Sequence, residues 1–167
     1  MDLTPDRIRQ LLGLEPHPTC GFVALTYRSR LSIPLSALPA LYEGVRPYAT
    51  ALYFLVMPQA PVRLHRIRAE QLYHHHLGGA LDVLMLHADG TGQVSTIGGD
   101  LEAGMRPQLL IPGGTFHAAR LKGAAPWGLL GSTEWPGVEP ADVEAGDVIA
   151  LTRSHPGFAA QIRAFAA

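Results

Sequence analysis

Eight histidines occur in the 167 residues, and five of them sit where they could act together. His74, His75 and His76 stand in a row in "EQLYHHHLGG", residues 70–79, with His65 upstream in "VRLHRI" and His117 closing "PGGTFH". Neutral imidazoles joined by an amide or carboxylate oxygen suit a divalent transition metal: Fe, Mn, Ni, Zn or Cu. Open coordination positions would then permit oxygenase, decarboxylase or isomerase chemistry. Without a metal, an imidazole titrating near neutrality is a general base, and His65 could take that role while Tyr53 or Tyr73 donates a proton from across a cavity. His17, His87 and His155 stand apart from these segments and are expected at the surface. Cys20 has no second cysteine to pair with and is expected as a small packed side chain rather than a nucleophile.

Which histidines could meet depends on strand register. Side chains alternate along a strand, so Gln71, Tyr73 and His75 share one face while Glu70, His74 and His76 share the other. A slip of one residue exchanges the two sets. His-x-His chemistry with Glu70 nearby favours the second set.

The surrounding pattern sets the elements that must position these groups. A hydrophobic share of 47%, a charged share of 16%, 18 Gly and 14 Pro fit a folded domain of short elements and tight turns. We expect one domain over 1–167, with a β core over about 20–135 and a helical segment over about 140–167. Runs near 22–27, 50–57, 62–67, 70–76, 81–87, 93–97, 108–111, 116–121 and 127–133 are rich in strand formers and bounded by turn residues, the spacing of an all-β sandwich or barrel. The apolar runs 51–57 and 81–86 read as core. Thr4, Pro5 and Gly13 bracket a short amino-terminal helix. A second helix is expected near 147–151, and a third from Ser154 as its cap through Phe158, Ile162 and Phe165.

Thirteen basic against fourteen acidic residues leave a formal charge of −1 with no basic block, so nucleic acid is not expected as a partner. No apolar run approaches the length of a membrane span, and residues 1–10 lack the apolar centre of a signal peptide, so a cytoplasmic protein with no membrane partner is expected. No motif for a nucleotide cofactor is evident.

The stretch "PGGTFH", Pro112 to His117, fits the Pro-x-Gly-x-x-His of the second cupin motif, with Gly104 upstream. In "VRLHRIRAEQLYHHHLGG", His65 takes the histidine role of the first motif, Glu70 or Gln71 the acid role, and Gly78 or Gly79 the turn. With "GFVALTYRS", "TALYFLVM" and "LLGSTEWPG", most of the chain resembles a cupin subgroup of bacterial and yeast proteins that has no settled activity. The resemblance implies a double-stranded β-helix, the jelly roll, with short terminal helices, commonly paired as a homodimer, and a likeness to sugar-nucleotide epimerases and metal-dependent cupin enzymes. Counting back seven residues from Gly78 places Gln71 in the acid slot and favours Gln71, Tyr73 and His75 inside. Two departures from the family pattern bear on chemistry: Glu70-Gln71 stands where Asp-Glu is usual, and Phe116-His117 where Trp-Gln is usual.

The site expected from these readings holds a small polar molecule, with a metal on His65, Gln71, His75 and His117, or on Glu70, His74 and His76 in the other register. Gln108 and Phe116 are the expected substrate contacts. Metal-independent epimerisation through His65, and binding without catalysis, are the alternatives.

Overall fold

Short strands with apolar residues on both faces need cover on both sides, and the chain supplies it with two facing sheets and helices outside them. The computed structural model describes residues 3–167. In order along the chain they form α1 (Pro5–Leu12), β1 (Glu15–Pro16), β2 (Phe22–Arg28), β3 (Ser32–Ile33), β4 (Arg46–Pro47), β5 (Thr50–Val56), β6 (Val62–Ile67), β7 (Glu70–Gly78), β8 (Leu81–Leu86) and β9 (Gly92–Ile97). Then come β10 (Gln108–Ile111), β11 (Phe116–Leu121), β12 (Gly128–Trp135), β13 (Val143–Ala145), α2 (Val148–Ser154) and α3 (Ala159–Ala166).

One sheet runs β1-β2-β5-β12-β7-β10, the other β13-β6-β11-β8-β9, and β3 and β4 make a small ribbon of their own. The two larger sheets face each other as a jelly-roll sandwich. All nine expected strands form. The sequence spacing did not disclose the two- and three-residue strands β1, β3, β4 and β13, which are too short to show alternation.

Residue alternation explains the run "LDVLML" in β8. Val83 and Met85 point between the sheets with Phe54, Val56 and Leu130. Leu84 and Leu86 point the other way, under Leu151, Ile162 and Phe165 of the carboxyl-terminal helices. In β5, Phe54 and Val56 face inward, while Leu55 packs outward with Ile8 of α1, Leu14 and Leu129. Both helical ends therefore cover outer sheet faces.

Thr4 caps α1, its hydroxyl accepting from the Arg7 amide at 3.3 Å, and Pro5 begins the helix as expected. Ser154 does not begin the last helix. It ends α2, with its hydroxyl donating to the Ala150 carbonyl at 3.2 Å, and α3 starts at Ala159 after a turn of 3₁₀ helix over Pro156–Phe158. His155 is buried rather than on the surface, because its Nε2 reaches the His87 carbonyl at 2.8 Å.

A buried ion pair fastens β4 to the approach of β13. Arg46 donates Nε and Nη2 to the two carboxylate oxygens of Asp142, each at 2.7 Å. Asp142 also accepts from the Glu139 amide at 3.0 Å. Among the described residues no helix is long and apolar enough to cross a membrane.

Candidate active site

The inward row of residues begins at β7. Its ladders put Gln71 beside Glu134 of β12 and Tyr73 beside Ser132, and β12 in turn places Glu134 beside Thr50 and Ser132 beside Leu52 of β5. These inward side chains line one face of a cavity of about 520 Å³ between the sheets. The opposing sheet contributes His65 and Ile67 from β6 and Val143 from β13. His17, Arg28 and Glu139 also line it, and the Arg28 guanidinium is paired with the Glu139 carboxylate.

His65 and His117 are direct ladder partners on β6 and β11. The turn that delivers His117 depends on glycine: Gly114 takes φ +75°, a left-handed conformation that L side chains rarely adopt. The two rings lie 4.3 Å apart between centroids. Both are anchored in the same way. His65 Nδ1 lies 2.8 Å from the Arg63 carbonyl, and His117 Nδ1 lies 3.2 Å from the Thr115 carbonyl. A carbonyl only accepts, so each Nδ1 carries the proton and each Nε2 presents a lone pair.

The two lone pairs meet different surroundings. That of His117 is fully buried and receives the Tyr73 hydroxyl at 3.1 Å and the Gln71 amide nitrogen at 3.3 Å. Among the described residues, that of His65 has only the Cys20 thiol, 3.8 Å away, on a cavity-lining residue. Burial lowers the pKa of both imidazoles, for His117 well below the ordinary value, so both are neutral at physiological pH. Burial pushes the Cys20 thiol up to about 11, so it is a weak donor to His65 and no thiolate nucleophile, in line with the sequence expectation.

Glu134 is the group that sequence reasoning missed. It is buried, its Oε2 accepts from the Thr50 hydroxyl at 2.7 Å, and burial raises its pKa. The Ser132 hydroxyl stands close enough to favour the charged carboxylate, yet it makes no hydrogen bond of acceptable geometry to any described group. The expected last strand stopped at 133. Extending the alternation Leu130, Ser132, Glu134 by one step would have placed this acid on the inward face.

The other sequence candidates divide by face. Gln71 and Tyr73 line the cavity as the turn-anchored register predicts. Glu70, His74 and His76 belong to the outer face: Glu70 accepts from the Trp135 indole at 3.1 Å, His74 Nε2 lies 3.1 Å from the Thr133 hydroxyl, and His76 meets the Tyr53 ring edge-on at 5.5 Å. Tyr53 is thus outside the cavity, since Leu52 and Phe54 take the inward positions of β5. Gln108 is outside too, as the ladder partner of His74, to which it is hydrogen-bonded at 3.0 Å. Phe116 packs with the core beneath α2 and α3, under the Arg66 guanidinium, because its neighbour His117 takes the inward position. His75 follows Tyr73 on the inward side, but a ladder irregularity at Leu129/Leu130 and a contact of its Nε2 with the Gly79 carbonyl at 3.2 Å keep it out of the cavity lining. His17, expected at the surface, is exposed and also borders the cavity.

The donor set does not fit a resident transition metal. A ligand must offer a free lone pair, and that of His117 already takes two donors. The first-motif acid slot holds the amide of Gln71. Burial raises the pKa of Glu134, which works against the ionised form that ligation requires. Among the described residues no three His, Cys, Asp or Glu side chains converge as a metal-holding group.

Comparison with known proteins agrees with the fold. Residues 6–146 match the family model described as Cupin superfamily (DUF985). A crystal structure of a Shewanella oneidensis protein superposes with a TM-score of 0.87 at 26% identity, covering 99% of both chains. A hypothetical protein from Leishmania major gives the same TM-score, 0.87, at 24% identity over 98% of this chain and 99% of that one. An oxalate decarboxylase of Lactobacillus farciminis, in complex with formate, gives 0.53 at 12% identity over 93% of this chain and 42% of that one, a likeness of fold. No curated protein matches the chain.

Proposed function

Since the chain belongs to the DUF985 family of the cupin superfamily, we propose that its cavity binds a small molecule and moves a proton on it without a metal, as an isomerase or epimerase does. One observation carries this reading. His65 holds its Nδ1 proton on the Arg63 carbonyl at 2.8 Å and so keeps Nε2 as a neutral base in the cavity wall, while Glu134, whose carboxyl burial pushes above its ordinary range, lines the same cavity from the opposite sheet.

The two groups have complementary roles. Nε2 of His65 takes a proton from a carbon next to a substrate carbonyl as Glu134 passes its proton to the carbonyl oxygen. The C–H electron pair becomes the double bond of an enol. The His65 imidazolium then returns its proton to that carbon, on the other face once the enol has turned over, or in an enediol to the neighbouring carbon, as an enol hydroxyl gives a proton back to Glu134. Both side chains are restored with no net oxidation. Gln71 and Tyr73 hold His117 in place and complete the polar floor. Such paired proton transfer is worth about 10²–10⁴-fold per group.

The test is solvent deuterium exchange. A panel of small ketones and aldoses is incubated with the protein in D₂O and followed by NMR. The reading expects incorporation that survives a chelator and falls by about 10²–10⁴-fold in His65→Ala. Incorporation abolished by chelation, or a full equivalent of transition metal by elemental analysis of the active protein, would replace it with the metal-dependent reading.

We further propose that two copies pair through the outer face of the six-stranded sheet. Tyr27, Ala51, Thr133, Leu72 and Leu110 form one ladder row there, and Tyr27 is 55% and Leu110 48% exposed. Light scattering tests it, with Leu110→Arg expected to give the smaller species.

A further inference from the structure

Ser132 is 3% exposed and lines the cavity, and among the described residues its hydroxyl makes no hydrogen bond of acceptable geometry, though it stands near the Glu134 carboxylate. A buried hydroxyl without a partner is costly, and a site whose ligand supplies that partner removes the cost. The orphan group lies in the ladder row of Leu52 and Tyr73, one inward position from Glu134.

Most of the remaining wall is hydrocarbon, contributed by Val23, Leu25, Leu52, Phe54, Ile67 and Val143. Among the described lining residues Arg28 is the one permanently charged cation, and it is paired with Glu139. His65 is held neutral by burial, and so is His117 behind the floor. A carboxylate or phosphate entering here would lose its water and meet no free countercharge. A sugar would lay several hydroxyls against apolar side chains that cannot bond them.

We propose that the cavity takes an uncharged, largely hydrocarbon molecule carrying one carbonyl or hydroxyl oxygen, and that this oxygen accepts from the Ser132 hydroxyl beside Glu134. The inference rests on the acid–base reading in placing the ligand in the same cavity, and names its substrate class: a hydrophobic ketone or its enol and alcohol relatives rather than a sugar or an acid. The volume of about 520 Å³ lies within the range that holds a drug-sized molecule.

Titration calorimetry on the full chain tests this with four probes: phenylacetone and 2-phenylethanol as neutral amphiphiles, phenylacetate as a near-isosteric anion, and glucose as a polyol. The expected result is saturable binding of the two neutral probes, at least tenfold weaker binding of phenylacetate and glucose, and a loss of about three- to tenfold for the neutral probes in Ser132→Ala. Phenylacetate or glucose binding as tightly as the neutral probes would overturn the proposal, as would no binding of either neutral probe up to its solubility. Unchanged affinity in a folded Ser132→Ala protein would overturn the anchor. The wild-type ranking stands as a test even where that variant fails to fold. Neutral probes that bind but exchange no deuterium would sink the acid–base reading and leave this one intact. Exchange on an acid or a sugar with no affinity for neutral probes would do the reverse.

Discussion

His65 and His117 face each other as ladder partners with ring centroids 4.3 Å apart, each holding its Nδ1 proton on the carbonyl two residues earlier in the chain. The same anchoring yields two different imidazoles. Tyr73 and Gln71 saturate the buried one, and the other is left as the basic atom of the cavity wall.

This pairing makes stability depend on pH. Both imidazoles have folded pKa values below the unfolded value of about 6.5, so the unfolded chain binds protons more readily than the folded one. Their contribution is complete above that value and is lost progressively as pH falls below it. The melting temperature is expected to drop between pH 7 and pH 5, and more steeply in the wild type than in His117→Phe. Equal slopes in thermal denaturation would contradict it.

Glu134 has the opposite sign. Its folded pKa is raised by burial, so its contribution is complete below the ordinary carboxylate range and is lost as pH rises through the folded value. At pH 7 the protein therefore carries a cost that Glu134→Gln removes, while the amide oxygen still accepts from Thr50. The variant is expected to melt higher than wild type at pH 7, with the gain shrinking toward pH 4.5, and to lose deuterium exchange. A lower melting temperature at pH 7 would show that the carboxylate is stabilising.

Tyr73→Phe removes the hydroxyl that lies 3.1 Å from His117 Nε2 and leaves a buried acceptor to the Gln71 amide alone. A loss of about 1–3 kcal/mol is expected in urea denaturation. No loss would mean that Gln71 alone satisfies the ring.

Away from the cavity, Asp142→Ala strands the Arg46 guanidinium in a buried position. A loss of about 3–5 kcal/mol is expected, because an unpaired buried charge costs more than the pair contributes. A change below about 1 kcal/mol would place this pair with ordinary surface ion pairs.

The fold was legible where a turn fixed geometry. Gly78 takes φ +79°, and a Cβ there would meet the Trp127 ring at 2.5 Å, so counting from it correctly turned Gln71 and Tyr73 inward. Legibility failed where both strand faces are apolar. "ALYFLVM" shows no alternation, because Leu55 is buried beneath α1 while Phe54 is buried between the sheets, so the run does not reveal that Tyr53 faces away from the cavity. His75 was lost to a ladder irregularity that no residue type announces. Glu134 escaped because a carboxylate at the end of a strand resembles a solvent-facing terminus until Thr50, distant in sequence, is brought beside it.

The most direct test of the central claim, a metal-free cavity with a neutral His65 base, is a long-range ¹H–¹⁵N correlation spectrum of the histidine rings at pH 7. Protonated Nδ1 and unprotonated Nε2 are expected for both His65 and His117, unchanged by a chelator, with each resonance assigned through its Ala variant. A proton on Nε2 of His65, a charged His65 ring, or ring signals displaced by a bound metal would contradict it.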